Sequence, residues 1–396
     1  MAEKLADQPA NSAEFTFTEE QQQLRTAVRK FCADNFDEQT VRRLMESEVP
    51  FDPKVWHRLG SELGVLGLSV PEADGGVGGS LVDQAVAVEV FGATLACGPL
   101  FGTVFLAIPA LVACPAGPAR DELLAELVEG TKTAAFAVAD KAGAFDPSAV
   151  TVSAKDDTLT GTVQRVVDAG AADEILVAAT GSAGISLYAA DATASGVTRT
   201  PLVTMDLTRP QSVVEFADAP ARLLAGPQEA ERVITHALQV GSALLAVEQV
   251  GAAQHLLDLS VDYAKSRLQF GRQIGSFQAI KHKLADMLVD LEHARSTAYH
   301  AVWALSDASD DPALTASIAQ ATASAAFSRI AADTIQVHGG IGFTWEHQAH
   351  LYFKRAATDA ALLGTAEEHR SRVADMVLET AVADADGARV ATGFPA

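Results

Sequence analysis

The hydrophobic pattern of the chain changes twice, and these two changes constrain the fold more than any other feature of the 396 residues. Residues 15–130 and 227–396 carry apolar side chains at helical spacing. Residues 131–226 instead hold short β-branched or alternating runs, separated by Gly, Asp and Pro. We therefore predict an α+β fold that is mostly α, with an N-terminal helical domain, a middle β domain and a C-terminal helical domain.

Local signals add detail to each part of this prediction. Thr18-Glu-Glu-Gln is a capping-box pattern, and Asp52-Pro53 is typical of a second helix start. The short runs of the middle part suggest a small β-barrel or sandwich. After Gly226-Pro227 we expect four long antiparallel helices that form a bundle. Residues 1–14 are polar and are expected to be a disordered tail.

Charge and cysteine content exclude several classes of partner and compartment. With 51 acidic and 29 basic residues the net charge is −22, which repels phosphate backbones, so we expect no nucleic-acid partner. Three cysteines without a CxxC pair indicate a reducing, cytoplasmic setting. We expect no signal peptide. Residues 90–119 are uncharged, but their Gly and Pro favour two short buried helices over a membrane span.

Two segments of the C-terminal part carry the most specific pattern of the sequence. One is Tyr263-Ala-Lys-Ser-Arg-Leu-Gln-Phe-Gly, followed by Phe277-Gln278, and the other is Gln336-Val-His-Gly-Gly-Ile-Gly-Phe-Thr-Trp-Glu346. Together with the domain order, they closely resemble the acyl-CoA dehydrogenase family over roughly residues 15–380. The resemblance implies that family's fold, FAD-dependent removal of two hydrogens from the α and β carbons of an acyl-CoA, and an acceptor of the electron-transfer flavoprotein type.

The residues of these segments suit a flavin dinucleotide. Arg267 supplies a forked, permanent cation for a pyrophosphate, and Gly339-Gly340 lets the backbone approach a phosphate closely. Phe270 offers an apolar wall, and the glutamines offer neutral donors and acceptors. The resemblance implies that Arg267, Gln269 and Phe270 contact FAD in one subunit, that Gln278, Gln336, Gly339 and Gly340 contact the dinucleotide of its neighbour in a homo- or hetero-tetramer, and that Thr365 also binds FAD.

The middle part departs from the family pattern. Family members usually carry a Thr-Glu-Pro-Gly-x-Gly-Ser-Asp stretch and a Trp-Ile-Ser/Thr stretch, which touch flavin and substrate. The corresponding residues here are 139–146, Ala-Asp-Lys-Ala-Gly-Ala-Phe-Asp, and 165–168, Arg-Val-Val-Asp. Arg165 therefore replaces the tryptophan and Val167 its hydroxyl neighbour. The resemblance places a β scaffold here but leaves its hydrogen bonds to flavin in doubt.

Both positions that the family uses for the catalytic base lack a carboxylate. The base must reach the α carbon of the thioester, yet Leu363 stands in the Tyr-Glu-Gly-Thr turn and Gly241 at the alternative position on the helix after the β domain. Glu248 is the best remaining candidate, on the same helical face and ~10 Å further along the axis. Because of that distance, we favour an alternative in which Glu248 pairs with a buried cation, such as Arg295 or a histidine, or lies deep in the acyl pocket.

Other titratable residues give weaker signals. His338, His347 and His350 resemble a metal cluster, but their spacing does not match a helical ligand pair, so no metal is expected. Asp359 lies one turn before Leu363 and is a further carboxylate near the family's base position.

Three functions remain open from the sequence. The first is an FAD-dependent acyl-CoA dehydrogenase, acting alone or as one subunit of a hetero-oligomer. The second is a non-catalytic partner subunit that completes the FAD site and the tetramer. The third is a flavin-dependent oxygenase on the same fold. No motif fixes the acyl group.

Overall fold

A computed structural model describes residues 16–308 and 310–391, and the predicted tail lies outside these residues. The N-terminal part is helical, as predicted. Thr18 caps the first helix through the predicted capping box, and Asp52 caps the third. The helices are α1 (Glu19–Asn35), α2 (Glu38–Met45), α3 (Pro53–Ser61), α4 (Leu81–Thr94), a π-helix (Leu100–Ala107) that continues into α5 (Ile108–Ala113), and α6 (Pro118–Glu129).

The middle part forms one eight-stranded sheet and a separate hairpin. The sheet strands are β1 (Ala134–Ala137), β4 (Val152–Lys155), β5 (Thr158–Val167), β6 (Glu174–Gly181), β7 (Gly184–Asp191), β8 (Val197–Pro201), β9 (Gln211–Pro220) and β10 (Arg222–Ala225), and the hairpin strands are β2 (Asp140–Lys141) and β3 (Ala144–Phe145). The spatial order is β10-β7-β6-β4-β5-β9-β8, and β1 pairs in parallel with β6.

The sheet is open, so the closed barrel considered from the sequence is not formed. Within the described residues the two edge strands, β10 and β8, do not pair with each other. β10 packs against α6 instead, which covers that edge. Closure would require paired edges, and the short β10 leads at once into the C-terminal helices.

The C-terminal part contains the four long helices predicted from the sequence. They are α7 (Ala230–Ser266), α8 (Gln278–Asp307), α9 (Pro312–His338) and α11 (Ala366–Ala391), and the shorter α10 (Ala349–Asp359) lies between the last two. The short strands β11 (Leu268–Gln269) and β12 (Arg272–Gln273) form a hairpin between α7 and α8. α7 is long and apolar enough to cross a membrane, but 83% of its most apolar window is buried inside the protein.

The N-terminal helices are joined to the bundle by close backbone contact and by ion pairs. A Cβ atom at Gly92 of α4 would overlap the carbonyl oxygen of Glu248, and one at Gly251 of α7 would overlap that of Glu89. Glu89 also accepts hydrogen bonds from Arg25 of α1 at 2.9 Å, and from Arg295 and Tyr299 of α8. The carboxylate of Glu89 therefore links α1, α4 and α8.

Candidate functional site

The residues predicted to bind the dinucleotide lie together at one end of the bundle. α7 ends there, α8 begins there and α9 ends there. The rings of Tyr263 and His338 stack at 4.4 Å, and the ion pair between Lys283 and Asp333 joins α8 to α9. All seven predicted residues are exposed at this end: Arg267, Gln269, Phe270, Gln278, Gln336, Gly339 and Gly340. They therefore share one end of the chain.

This end combines positive charge with open backbone. Residues 265–283 contain five Lys or Arg and no Asp or Glu, although the whole chain carries −22. Arg267 has no ion pair within the described part of the chain. Gly339, with φ +63°, and Gly340 have no atom within 4 Å of the position of a Cβ atom. An exposed cation beside side-chain-free backbone fits the diphosphate of FAD.

Thr365 lies far from this end. Gln320 of α9 donates to the carbonyl of Leu362 at 3.4 Å, so the turn before Thr365 packs near residue 320. Gln336 is sixteen residues further along the same helix, about 24 Å at 1.5 Å per residue. The hydroxyl of Thr365 caps α11 by donating to Glu368 at 2.8 Å. The turn before Thr365 and the dinucleotide end therefore lie at separate places in one chain.

The hairpin β2–β3 covers the family's first base position. A Cβ atom at Gly143 in the hairpin would lie 3.2 Å from the carbonyl oxygen of Leu363 and 2.9 Å from the hydroxyl of Ser242. Arg372 of α11 holds the hairpin by donating to the carbonyl of Ala142 at 2.9 Å. These hairpin residues lie in the 139–146 stretch that faces flavin in the resemblance. The hairpin therefore contacts the turn that carries the family's first base position.

The second base position, Gly241, packs against the π-helix of the N-terminal part. Gly241 of α7 faces the π-helix, and a Cβ atom there would overlap Cδ2 of Leu106. Leu363 is 7% exposed and has φ 54°, and its carbonyl accepts a hydrogen bond from Nε2 of His369 at 2.7 Å. Both positions are therefore occupied by residues without a carboxylate and packed against neighbouring side chains or backbone.

Glu248 belongs to a buried ionic cluster that we define as Asp206, Arg209, Glu248, Arg355 and Asp359. Arg209 Nη2 donates to Oε2 of Glu248 at 2.5 Å, and Arg355 Nη1 donates to Oε1 at 3.2 Å. Arg355 Nε also donates to Asp206 at 2.8 Å. All five side chains are at most 4% exposed. Because both oxygens of Glu248 accept from arginines, neither is left for a substrate proton, and Glu248 as base stays a prediction that this geometry disfavours.

The cation partners named from the sequence are wrong. Arg295 pairs with Glu89, and no histidine contacts Glu248 among the described residues. The real partners, Arg209 and Arg355, come from the loop between β8 and β9 and from α10. The four-residue spacing of Arg355 and Asp359 on one helix is a sequence signal for part of the cluster. Arg209 gives no such signal because only the tertiary fold brings it to α7.

Burial raises the pKa of two carboxyl groups, one in the cluster and one beside it. Burial raises the pKa of Asp359 to about 7; the charge of Glu248 adds to this rise, and Arg209, with Nε 3.7 Å away, opposes it. Burial also raises the pKa of Asp168, at the end of β5, to about 6, although the N–H of Gly102 donates to it at 2.9 Å. These carboxyls join the middle part to both helical parts.

The three histidines considered as a metal cluster contact neighbouring aromatic rings in tilted and edge-to-face arrangements. The rings of His338 and His347 lie 4.4 Å apart, and His350 meets the edge of Trp345 at 4.6 Å. Nδ1 of His338 bonds to the carbonyl of Thr334 at 2.8 Å. Burial lowers the pKa of His350 to about 4, so its ring is neutral at physiological pH.

Comparison with known proteins gives one consistent family. Residues 18–131 match the model of the acyl-CoA dehydrogenase N-terminal domain, and residues 231–378 match that of the acyl-CoA dehydrogenase C-terminal domain. The chain is 36% identical to acyl-CoA dehydrogenase IpdE2 of Mycolicibacterium smegmatis over 356 residues, which cover 90% of this chain and 98% of that one.

Solved structures agree with the sequence matches. A Tcur3481-Tcur3483 steroid acyl-CoA dehydrogenase variant superposes with a TM-score of 0.82 at 30% identity, covering 92% of this chain and 99% of that chain. The ChsE4-ChsE5 complex from Mycobacterium tuberculosis also gives a TM-score of 0.82, at 28% identity and with the same coverage. The second structure is a complex of ChsE4 with ChsE5, and the first likewise pairs the names Tcur3481 and Tcur3483.

Proposed function

Because this chain belongs to the acyl-CoA dehydrogenase family, we propose that it is the subunit of a hetero-oligomeric enzyme that completes the FAD site of a partner. FAD-dependent dehydrogenation of acyl-CoA is the activity that the family and its relatives support. The proposal concerns how this chain takes part in that reaction. We expect a cytoplasmic hetero-tetramer that passes electrons to an acceptor of the electron-transfer flavoprotein type.

The proposal rests on one observation: the dinucleotide end of the FAD site is exposed in this chain, whereas the hairpin covers the flavin end. The dinucleotide end is exposed, basic and open at Gly339-Gly340. At the flavin end the hairpin residues Ala142 and Gly143 pack on the turn before Thr365, and both base positions lack a carboxylate. A chain of this kind supplies contacts to a dinucleotide whose flavin and base belong to another subunit. The names of the ChsE4-ChsE5 and Tcur3481-Tcur3483 relatives support such pairing.

The residues of this chain then bind and orient rather than transfer protons. Arg267 forms charge-assisted hydrogen bonds to the diphosphate, and the backbone at Gly339-Gly340 approaches it closely. Gln269, Gln278 and Gln336 supply neutral donors and acceptors nearby. When bound, FAD accepts the hydrogen that leaves the β carbon of the acyl group. We assign the α-proton base to the partner, because Leu363 and Gly241 cannot act as one.

The proposal is tested by flavin content. Purified alone, the chain is expected to be colourless. When it is co-expressed with an acyl-CoA dehydrogenase chain that has glutamate in the turn aligned with residues 362–365, it is expected to co-purify with FAD. The FAD of that complex is expected to bleach when an acyl-CoA is added anaerobically. The similarity to a steroid enzyme makes steroid acyl-CoA thioesters the first members of the test panel, beside straight-chain ones. One FAD for each chain in the singly expressed protein would contradict the proposal.

Arg267→Ala sharpens this test. Loss of a charge-assisted contact to the diphosphate removes ~1.5–3 kcal/mol, so FAD affinity of the complex is expected to fall at least about tenfold. Arg232→Ala is the matched control, since Arg232 is also an exposed arginine of α7 and pairs with Glu229 near the opposite end of that helix. Equal FAD affinity in the two variants, measured by fluorescence titration, would exclude Arg267 from the site.

A further inference from the structure

The loop between β8 and β9, residues 202–210, is held from the inside by its polar residues. Asp206 and Arg209 are at most 4% exposed, whereas Met205 of the same loop is 53% exposed. Asp206 accepts a hydrogen bond from Nε of Arg355 at 2.8 Å, and Nη2 of Arg209 donates to Glu248 at 2.5 Å. The position of the loop therefore depends on the buried ionic cluster and not on burial of Met205.

The cluster contains one carboxyl more than its cations balance. The carboxyls of Asp206, Glu248 and Asp359 face only the guanidinium groups of Arg209 and Arg355 within the cluster. Among the described residues, neither oxygen of Asp359 has a hydrogen-bond donor, and Nη1 of Arg209 has no acceptor. Nε of Arg209 lies 3.7 Å from Oδ1 of Asp359, which is too far for a hydrogen bond. Since an uncompensated charge is costly in a buried site, the balanced form of the cluster carries a proton on Asp359.

The nearest further titratable group adds negative charge rather than a cation. Asp168, at the end of β5, lines the same small cavity as Arg209, Glu248 and Arg355. Burial raises the pKa of Asp168 to about 6. Burial also raises the pKa of Asp359 to about 7, and the charge of Glu248 adds to this rise while Arg209 and Arg355 oppose it. Ionisation of both aspartates therefore leaves the buried site with surplus negative charge.

The loop is the part of the cluster that can move at the least cost. Glu248 lies within residues 240–253 of α7, all of which are buried, whereas the loop has solvent on one side. The amide of Thr208 donates to the carboxylate of Asp206 at 2.8 Å, and its carbonyl accepts from Arg355 at 3.0 Å. Opening of the loop breaks these bonds and admits water to Asp359, whose pKa then returns towards its ordinary value of 3.8.

We propose that the buried ionic cluster is a pH-sensitive switch for the β8–β9 loop, in which the proton on Asp359 keeps the loop closed and the loop opens as that proton is lost. The inference does not depend on the proposed function, because every group of the switch belongs to this chain. Since the closed state has the raised pKa, the stabilisation of the closed loop is complete below pH 3.8 and is lost as the pH rises through about 7. The open fraction therefore rises over this range and levels off above it.

Hydrogen exchange of the full chain, measured by mass spectrometry and corrected for the intrinsic exchange rate at each pH, tests the switch. One proton released on opening changes the open fraction at most about hundredfold between pH 5 and pH 7. We expect the protection of residues 202–210, which include the amide of Thr208, to fall at least about tenfold between pH 5 and pH 7.5. Protection of the loop below that of α7 at both pH values shows that exchange occurs by local opening and not by global unfolding.

Two variants assign the effect to one carboxyl. Asp359→Asn carries no charge at any pH and is expected to give equal loop protection at pH 5 and pH 7.5. Asp168→Asn is the matched control, because it also replaces a buried aspartate of raised pKa and keeps an acceptor for the N–H of Gly102. It is expected to retain at least half of the wild-type change in the logarithm of protection.

The wild-type chain alone can overturn the inference, so the test does not depend on the folding of a variant. Equal loop protection at pH 5 and pH 7.5 in the wild type refutes the switch, as does a loop that is protected as strongly as α7 at both pH values. A fall that persists in Asp359→Asn, or one that disappears in Asp168→Asn, removes Asp359 as the controlling group and refutes the inference as stated.

Discussion

Asp359 makes the stability of this protein depend on pH in a direction that a single substitution tests. Its carboxyl is fully buried, and burial first, with repulsion from Glu248 second, raises its pKa to about 7 against the ordinary value of 3.8. The folded protein therefore binds this proton more tightly than the unfolded chain does. The stabilisation from the proton is complete below pH 3.8 and is lost as the pH rises through about 7.

Asp359→Asn removes this dependence because the amide carries no charge at any pH. A rise of about three pKa units corresponds to roughly 4 kcal/mol at 1.36 kcal/mol per unit, which is an upper bound for the gain of the variant at pH 8. Arg209 loses a carboxylate at 3.7 Å but keeps the one of Glu248 at 2.5 Å, so part of the gain is retained. We expect the variant to be more stable by about 2–4 kcal/mol at pH 8 and equal to wild type near pH 4.

Urea denaturation between pH 4 and pH 8 measures the difference. Asp168 titrates with the same sign, since burial raises its pKa to about 6, but it is present in both proteins and cancels in the comparison. Asp286→Asn, at an exposed position on α8, is the control and is expected to follow wild type. A variant that is less stable than wild type at pH 8, or a difference that does not change with pH, would refute the raised pKa of Asp359.

Two further predictions follow from other buried contacts. Glu89→Gln removes the charge that faces Arg25 and Arg295, and the free energy of unfolding in urea is expected to fall by roughly 2–4 kcal/mol; an unchanged midpoint would show that Glu89 does not join the helices. Leu363→Glu restores a carboxylate at a family base position, but we expect the purified chain to give no flavin bleaching with acyl-CoA, because the hairpin covers that position; Gly241→Glu is expected to behave alike, and bleaching by either variant would show that the flavin end opens.

The helical parts of the fold were predictable because their signals are local. The capping box at Thr18 and the Asp52-Pro53 start each lie within one turn of the helix they begin. The open sheet was not predictable in the same way, because pairing of strands distant in sequence is decided by tertiary contacts. The edge strands carry the weakest local signals, since β8 is half exposed without an apolar alternation and β10 has four residues.

The residues of the candidate site were likewise predictable only where their signals are local. Arg267 and Gly339-Gly340 stand in short motifs at helix ends that are recognisable in the sequence, and the structure brings these segments to one end of the bundle. The closed flavin end depends on contacts of residue 143 with residues 242 and 363, which no local pattern connects. The partners of Glu248 were missed for the same reason, as Arg209 lies 39 residues before it and Arg355 lies 107 residues after it.

The missing base and the altered middle part are consequences of one packing arrangement. With the hairpin on top of residue 363, a carboxylate there would be largely buried, whereas Leu363 packs in the apolar core. At residue 241 a side chain would meet the end of the Leu106 side chain of the π-helix, which would have to move. In such a chain Arg267, Gly339 and Gly340 remain exposed, so this end can still contact a dinucleotide.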